Sequence, residues 1–449
     1  MNTLNRRAFV QKSLVTATAL TALGSRKVFG ANDKIVVGVM GTGGRGTQLA
    51  EFFALRPDVE IAYVADPDVR RADRARGTVE KRMQERPAPG RAPKAVQDFR
   101  RILDDKSVDA IVNATPDHWH ALGTILACQA GKDVYVEKPM AHSLWEGRKM
   151  VEAAEKYRRV VQVGTQSRSA PYAQKAVDYL KSGKLGAVHL VRVFNMMQHG
   201  PMSAGSTQPV PKEFDYDLWC GPAARLPYNP SRYWLNFYEY SCGPIPGDAV
   251  HQLDLARMLM GNPPAPKSVQ ATGGIRLLRD GRDTPDTQTA LFEYDAFTLQ
   301  FEGTLWTPYL KKTPSEKRDK DLIPNWPFNG TRIDVLGTKG FMYLGRHGDG
   351  YQVFNENSEL VETVTGRQGD KWHIENFLQC IRSRTKPNVD AEQGHQSVLL
   401  CHLANIACRL GNQKLVFDAQ TESFPGLPEA HRLLKRPAYR EPWVVPDKV

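Results

Sequence analysis

The chain has 449 residues, of which 41% are hydrophobic and 24% are charged. This balance excludes a disordered chain, and the length predicts two domains with sizeable cores. The formal net charge is +11, but residues 1–30 hold five Lys or Arg and no acid, so the remainder carries +6. Its basic residues are spread among acidic ones and do not cluster with aromatic residues. Nucleic acid is therefore not an expected partner.

The first thirty residues have the layout of a targeting peptide. Arg6 and Arg7 precede a mild apolar stretch over residues 14–23, and small residues follow near Gly30. Residues 5–10 resemble the twin-arginine (Tat) export signal, with an ordinary Sec signal as the alternative. We expect a periplasmic or otherwise exported protein that uses the Tat machinery, which carries folded proteins together with any bound cofactor. No apolar run is long enough to predict a membrane span in the mature form.

The six cysteines show neither a CxxC motif nor a Cys/His metal spacing, so no metal site is expected. They are Cys128, Cys220, Cys242, Cys380, Cys401 and Cys408. We expect buried free thiols, and one disulfide is the alternative.

From Lys34 onward, short β-branched runs alternate with amphipathic stretches. The predicted strands are 35–40, 59–65, 109–114, 133–136 and 160–163. The predicted helices are 46–55, one starting at 68, 96–103, 118–130 and 143–157. This alternation predicts a doubly wound α/β domain with a parallel sheet over residues 34–166, in which residues 86–93 form a loop.

Beyond residue 166 the predicted strands follow one another without helices between them. They are 188–197, 267–275, 288–294, 297–305, 332–336 and 340–344. Helices are predicted at 248–260, 373–384 and 394–410, and the polar stretches 200–211 and 307–329 read as loops. Residues 167–449 are therefore predicted to form an α+β domain with a large, open and mainly antiparallel sheet. Because a broad sheet face is rarely exposed only to solvent, we expect a homo-oligomer.

A glycine-rich turn follows the first predicted strand immediately and opens the first predicted helix. It consists of Gly41, Thr42, Gly43, Gly44, Arg45 and Gly46. In this context the first glycine permits the tight turn, the second lets the backbone approach a pyrophosphate, and the third permits close helix packing. The helix N-terminus supplies amide donors to the anion. The pattern predicts a dinucleotide-binding Rossmann domain.

Asp66 ends the second predicted strand, twenty residues after the last glycine of the turn. A carboxylate at that place accepts hydrogen bonds from the adenosine ribose hydroxyls and repels a 2′-phosphate, so the predicted cofactor is NAD. Arg45 keeps NADP open as the alternative, because a guanidinium there could neutralise a phosphate.

Further short motifs follow the later strands. Residues 114–120 read ATPDHWH, residues 137–139 read EKP, and residues 217–222 read DLWCGP. With the stretch 373–383, their order and spacing resemble the Gfo/Idh/MocA family of oxidoreductases, in its Tat-exported bacterial branch. The resemblance implies hydride transfer between a nicotinamide cofactor and a hydroxyl or carbonyl of a sugar or polyol.

The resemblance also implies roles for residues that follow the predicted strands 109–114, 133–136 and 160–163. Lys138 would touch the reacting hydroxyl, and Glu137 would hold its loop. An ammonium there can polarise a carbonyl or favour an alkoxide as hydride leaves. The residues implied beside the cofactor are Thr115, Pro116, His118, His120 and Gln166. A core histidine with satisfied hydrogen bonds is the alternative for His120.

In the family, a histidine acts as proton acceptor and an aspartate commonly lies four residues before it. His251 matches the histidine, but Gly247 occupies the aspartate position and Asp248 lies three residues before. Because both spacings share a helix face, Asp248 could still orient His251, or it could only cap the helix N-terminus. Asp254 is a further candidate for orienting His251.

Polar residues after the strands that flank the predicted cleft are candidates for binding the sugar: Arg168, Asn195, His199 and Tyr233. An exported protein meets no nicotinamide pool, so we expect a tightly held dinucleotide that is reduced and reoxidised in place. One alternative function is redox-neutral glycoside cleavage through a transient keto-sugar, which some relatives perform, although the relatives in question lack the lysine of Lys138. The other is a non-catalytic dinucleotide-binding protein.

Overall fold

The computed structural model describes residues 34–86, 90–203 and 205–449, so the predicted export signal lies outside the described residues. A six-stranded parallel sheet in the order β3-β2-β1-β4-β5-β6 forms the N-terminal part. Its strands are β1 Ile35–Met40, β2 Val59–Ala65, β3 Lys94–Val96, β4 Ala110–Asn113, β5 Asp133–Val136 and β6 Val161–Val163. The strand order reverses between β1 and β4, and such a switch point opens a ligand crevice at the carboxyl ends of the strands.

Helices link the strands of this sheet. They are α1 Gly44–Ala54, α2 Val69–Gln84, α3 Arg100–Asp104, α4 Asp117–Gln129 and α5 Leu144–Lys156. Asp68 caps α2 by accepting a hydrogen bond from the Arg70 amide at 3.0 Å. The helix predicted over 96–103 is wrong, because Val96 ends β3, which pairs with β2, and only the short α3 follows. Pairing with a neighbouring strand therefore outweighs the local helical pattern.

The C-terminal part contains a nine-stranded sheet in the order β14-β13-β12-β11-β7-β10-β9-β8-β15. Its strands are β7 Val188–Met196, β8 Ser268–Gly274, β9 Thr287–Glu293, β10 Thr298–Thr304, β11 Arg332–Gly337, β12 Gly340–Gly345, β13 Tyr351–Asn355, β14 Leu360–Val364 and β15 Lys414–Val416. Only β7 and β10 pair in parallel, so the prediction of a mainly antiparallel sheet is confirmed. The last three strands, β13 to β15, were not predicted.

Six helices accompany this sheet: α6 Pro171–Lys181, α7 Tyr216–Cys220, α8 Pro244–Leu259, α9 Asp370–Ser383, α10 Ala391–Arg409 and α11 Pro428–Arg432. Short 3₁₀ turns lie at Gln166–Ser169, Trp234–Asn236, Ser315–Lys317 and Trp326–Phe328. Side chains along β9 and β10 alternate between buried and accessible, so helices cover one face of the sheet and the other face is open. The helix α10 is buried on nearly every side because it packs against α5, α8 and β8.

All six cysteines are free thiols, and Cys408 alone among them is partly accessible. This confirms the expectation of unpaired thiols. In the part of the chain that the structure describes, no helix combines the length and the apolar character needed to cross a bilayer.

Candidate active site

The glycine-rich turn between β1 and α1 has the shape that a dinucleotide needs. Gly41 adopts a φ of +83°, and a Cβ there would lie 2.7 Å from the Thr115 nitrogen. A Cβ at Gly46 would lie 1.8 Å from the Gly41 oxygen, so both positions require glycine. Around Gly43 and Gly44, by contrast, a Cβ would meet nothing closer than 3.9 Å. The backbone is therefore accessible at the N-terminus of α1, as pyrophosphate binding requires.

Asp66 lies beside this turn, at the end of β2. Its Oδ2 accepts hydrogen bonds from the Thr42 nitrogen at 2.9 Å and the Thr42 hydroxyl at 3.2 Å. Its Oδ1 accepts one from the Asp68 nitrogen at 3.0 Å. Burial raises the pKa of the Asp66 carboxyl. A carboxylate oxygen accepts more than one hydrogen bond, so Asp66 can brace the turn and still receive ribose hydroxyls. The geometry fits NAD.

The sequence argument for NADP rested on Arg45, which points elsewhere. Its Nε donates to Glu137 at 2.9 Å and its Nη2 donates to Asp370 at 2.7 Å. Although burial opposes its charge, these two carboxylates raise the pKa of Arg45 above its usual value. The guanidinium is thus neutralised at the end of β5 and is committed to holding that loop, so this route to a 2′-phosphate site is removed.

A cleft of about 810 Å³ runs from the glycine turn past Asp66. Residues 213–240, which we call the cover segment, form its other wall. The Val69 nitrogen donates to the Glu213 oxygen at 3.0 Å, and the Asp215 nitrogen donates to the Pro67 oxygen at 2.9 Å. Aromatic side chains of the cover segment line the cleft: Phe214, Tyr216, Trp219, Tyr228, Tyr233, Trp234 and Tyr240. The dinucleotide cleft is therefore closed over by the C-terminal part.

Thr115 and Pro116 line this cleft, as predicted, but His118 does not. The His118 ring is buried, with Nδ1 3.3 Å from the Tyr240 oxygen and Nε2 2.9 Å from the Trp219 oxygen. Burial lowers its pKa to about 3. The predicted cofactor contact is wrong for His118, because its ring faces the cover segment and ties it to α4.

A second cavity of about 570 Å³ adjoins the first at Arg45, Thr115, Tyr233 and Trp234. Glu137 organises its floor. One carboxylate oxygen accepts from Arg45, and also from Gln166 at 3.0 Å, while the other accepts from the Lys138 nitrogen at 3.1 Å. Both Glu137 and Gln166 line the cavity. This network fixes the loop after β5 and with it the direction of Lys138.

Lys138 and His251 meet at this cavity. The Lys138 ammonium donates to the Gly247 oxygen at 3.1 Å, one turn of α8 before His251. His251 is buried, and its Nδ1 has no hydrogen-bond partner among the described residues. Burial, together with the charges of Arg346 and Lys138, holds the pKa of His251 well below its usual value. At neutral pH its imidazole is therefore neutral and able to accept a proton.

Asp248 has a different partner from the one predicted. The helix α8 begins at Pro244, so Asp248 lies inside it and does not cap it. Its Oδ2 accepts from the Lys312 ammonium at 2.6 Å and from Arg346 at 2.9 Å. Burial alone would raise the pKa of the carboxyl, but these two cations hold it well below the usual range. Asp248 therefore pairs with Lys312 and Arg346 and makes no hydrogen bond to His251.

Asp254 and Arg168 are paired with each other. Arg168 is buried and donates to both carboxylate oxygens of Asp254, at 2.9 and 2.7 Å. Ser397 also donates to Asp254 at 2.7 Å. Neither residue lines the two cavities. The predictions of a substrate contact for Arg168 and of an orienting role for Asp254 are both wrong, because a buried guanidinium requires its own carboxylate.

Asn195 is also a structural residue. It is fully buried, donates to the Ile245 oxygen at 3.0 Å and accepts from Gln252 at 3.0 Å. It anchors α8 to β7 and does not line either cavity, contrary to the predicted substrate contact. His199 and Tyr233 line the second cavity, and their contact with the substrate stays a prediction.

His120 has both ring nitrogens engaged. Nδ1 lies 2.7 Å from the Pro139 oxygen and Nε2 lies 2.8 Å from the Thr115 oxygen. These contacts join the loops after β4 and β5, and His120 also lines the second cavity, so its predicted place beside the cofactor stays a prediction.

Four basic residues of the second cavity were among those missed by sequence reasoning: Lys312, Arg318, Arg346 and His347. Two belong to the stretch 307–329, which reads as a polar loop, and two follow β12. The loop composition signalled positive charge. Nothing local indicated that the two segments converge on α8.

Three family models match the chain in succession. They are the oxidoreductase family model with an NAD-binding Rossmann fold over residues 35–165, a Gfo/Idh/MocA C-terminal domain over 173–343, and an oxidoreductase-family C-terminal α/β domain over 337–445. The chain belongs to the Gfo/Idh/MocA family. It is accordingly an NAD-dependent oxidoreductase, as the glycine turn and Asp66 predicted.

Two named proteins and one solved structure are similar to the chain. Myo-inositol 2-dehydrogenase of Thermotoga maritima is 23% identical over 82% of this chain and 94% of its own length. Glycosyl hydrolase family 109 protein 2 of Shewanella sp. strain ANA-3 is 31% identical over 34% of this chain and 38% of its own. The WlbA dehydrogenase of Bordetella pertussis, solved with NADH and UDP-GlcNAcA, has a TM-score of 0.62 at 21% identity, over 86% of this chain and 99% of its own.

Proposed function

We propose that the protein oxidises a hydroxyl-bearing carbon of a sugar or polyol, with Lys138 and His251 at the reacting oxygen. The observation that carries the proposal is the 3.1 Å hydrogen bond from Lys138 to Gly247, which sets the ammonium one helical turn from a neutral histidine. Both residues line the cavity that adjoins the dinucleotide cleft. The similarity to a myo-inositol dehydrogenase supports a polyhydroxylated substrate.

NAD, when bound, would supply the hydride acceptor. The imidazole of His251 accepts the hydroxyl proton, and its depressed pKa keeps it in the accepting form. The Lys138 ammonium stabilises the negative charge that develops on the substrate oxygen. The O–H and C–H bonds break, a C=O bond forms, and His251 then releases its proton to solvent. Glu137 and Gln166 act as positioning residues for Lys138.

We further propose that the dinucleotide is carried as a tightly held group through Tat export. Support comes from the cover segment, which is hydrogen-bonded to the loop after β2 and to α4. The His118 and Trp119 rings both contact the main-chain oxygen of Trp219, at 2.9 and 3.0 Å. Release of the cofactor would require these bonds to open, so the segment slows dissociation.

A homo-oligomer is part of the same proposal. The accessible face of the nine-stranded sheet bears apolar groups such as Leu291, which is 42% exposed. Burial of this face against a second copy would remove apolar surface from water.

Redox-neutral glycoside cleavage is the second candidate. The local similarity to a family 109 glycosyl hydrolase favours it. In that reaction a transient keto group acidifies a neighbouring C–H, and an aglycone leaves by elimination. The presence of Lys138 favours simple dehydrogenation.

The test begins with protein purified from its native compartment. Mass spectrometry should find stoichiometric NAD in it, and a carbohydrate panel should then produce NADH absorbance. Protein without nucleotide that also binds NAD weakly would contradict the retained cofactor. Aglycone release without net NADH would favour the glycoside reaction. Protein that holds its nucleotide but changes neither sugars nor glycosides would be a binding protein only.

A further inference from the structure

The wall of the second cavity around Asp248 carries more positive than negative charge. Lys312, Arg318 and Arg346 line it, and the carboxylate of Asp248 is shared between two of them. The Nε of Arg318 donates to the Thr313 oxygen at 2.8 Å. Among the described residues, no carboxylate lies within ion-pair distance of Arg318. We call these three cations the basic wall.

Apart from Asp248, none of the described carboxylates that line the cavity forms an ion pair with the basic wall. Glu137 and Asp370 share the single guanidinium of Arg45, so these three residues together keep one net negative charge. Asp117 accepts from the Ser241 hydroxyl at 2.7 Å, and burial raises the pKa of its carboxyl. Asp319 lines the rim but is exposed to solvent. Three cations that share one carboxylate leave the basic wall locally positive, within a cavity lining of five basic and five acidic residues.

His347 adds a buried polar group to the same wall. It is 6% exposed, and its Nε2 has no hydrogen-bond partner among the described residues. Burial, then the charges of Arg346 and Arg318, hold the pKa of His347 well below its usual value. Burial likewise lowers the pKa of Lys312 and that of Arg318, in each case with a contribution from Arg346. Partly desolvated cations beside an unpaired donor or acceptor are costly unless an anion joins them.

The basic wall is adjacent to the reactive pair. Asp248 accepts hydrogen bonds from Lys312 and Arg346. It directly follows Gly247, whose main-chain oxygen accepts a hydrogen bond from the Lys138 ammonium. An anionic group on the basic wall would thus belong to the same small molecule whose hydroxyl meets Lys138.

We propose that the substrate is a sugar acid, and that Arg318 and the other cations of the basic wall bind its carboxylate. This inference rests on the proposed oxidation of a sugar and names its substrate class. A planar guanidinium pairs in bidentate fashion with a carboxylate, and one carboxylate matches the modest charge surplus. A phosphate ester offers the same oxyanion chemistry with a larger charge.

The experiment compares a hexose, its uronate and its 6-phosphate as substrates of the NAD-loaded protein. The kcat/KM for the uronate should exceed that for the neutral hexose by about tenfold to a hundredfold, as expected for a charge-assisted hydrogen bond. Equal values, or a preference for the neutral sugar, would overturn the proposal. A preference for the 6-phosphate would overturn the carboxylate assignment.

Arg318→Gln tests the residue assignment. The ratio of uronate to hexose kcat/KM should fall by at least about tenfold, and Arg318→Lys should keep part of it. The matched control is Arg367→Gln, which removes an exposed guanidinium paired with Asp321 and should leave the ratio unchanged. An unchanged ratio in Arg318→Gln would remove Arg318 from recognition.

Calorimetric titration of the uronate separates this inference from the proposed function. Uronate binding that depends on Arg318, without turnover of any sugar, would support the basic wall and contradict the oxidation. Turnover of neutral sugars, with no preference for the uronate in binding, would support the oxidation and contradict the role of the basic wall.

Discussion

Replacing Lys138 with methionine isolates the ammonium from the shape of its side chain. Lys138→Met preserves length and apolar contacts but removes the charge beside the proposed reacting oxygen. At a separation of about 4 Å and an effective dielectric constant of about 20, an ammonium stabilises a unit negative charge by about 4 kcal/mol. We expect kcat to fall by about a thousandfold.

The same variant should scarcely change folding or cofactor binding. The hydrogen bond from Lys138 to Gly247 is lost, which costs about 1 kcal/mol of the free energy of unfolding. Lys138 does not line the 810 Å³ dinucleotide cleft, so NAD affinity should stay close to that of the unaltered protein.

Single-turnover NADH formation and a parallel NAD titration measure the two effects separately. Lys386→Met is the matched control, because it removes the same ammonium from a side chain that is 86% exposed. The proposed role of the ammonium would be refuted if the kcat of Lys138→Met stayed within about threefold of that of the unaltered protein. Such a change corresponds to less than about 1 kcal/mol in the activation free energy.

Three further predictions address the cofactor, the core and the base. Asp66→Asn should weaken NAD binding by about tenfold in a fluorescence titration, and unaltered affinity would argue against a ribose contact. Arg168→Met leaves the Asp254 carboxylate buried without its cation, so denaturant melts should show a loss of about 3–5 kcal/mol in the free energy of unfolding; full stability would contradict the structural assignment. Because the pKa of His251 is depressed, the acid limb of kcat/KM should lie below about pH 6.5, where an ordinary histidine titrates. Gly247→Asp can be accommodated, since a Cβ at this position meets its nearest atom at 3.8 Å. The new carboxylate should move the acid limb of kcat/KM to higher pH, whereas Gly247→Ala should leave it in place. An acid limb that stays in place in Gly247→Asp would show that His251 does not take the proton.

The cofactor turn was predictable because its chemistry is local. Gly41 and Gly46 must be glycine for reasons of backbone conformation and close packing, and Asp66 follows from the strand that carries it. The Lys138 loop was likewise predictable from its place after β5. These features depend on a few consecutive residues at the carboxyl ends of parallel strands, where neighbouring strands bring their loops together.

The side-chain partners were not predictable in the same way. Arg168 was predicted to bind the sugar, but it forms a salt bridge with Asp254 on α8. His118 looked like a cofactor contact, yet its ring faces Trp219 and Tyr240 in the cover segment. In each case the partner lies more than eighty residues away along the chain. No local pattern specifies such a pair.

By itself, the sequence determined the alternation of strands and helices, the mainly antiparallel second sheet and the edge at which NAD binds. These follow from hydrophobic periodicity and backbone sterics, which act over short stretches. Only the tertiary structure decided that Asp248 pairs with Lys312 and Arg346 and makes no hydrogen bond to His251. Helical spacing tells which residues share a face, but the charges that meet that face come from distant loops. Their burial then sets which groups carry protons and which ligand the cavity accepts.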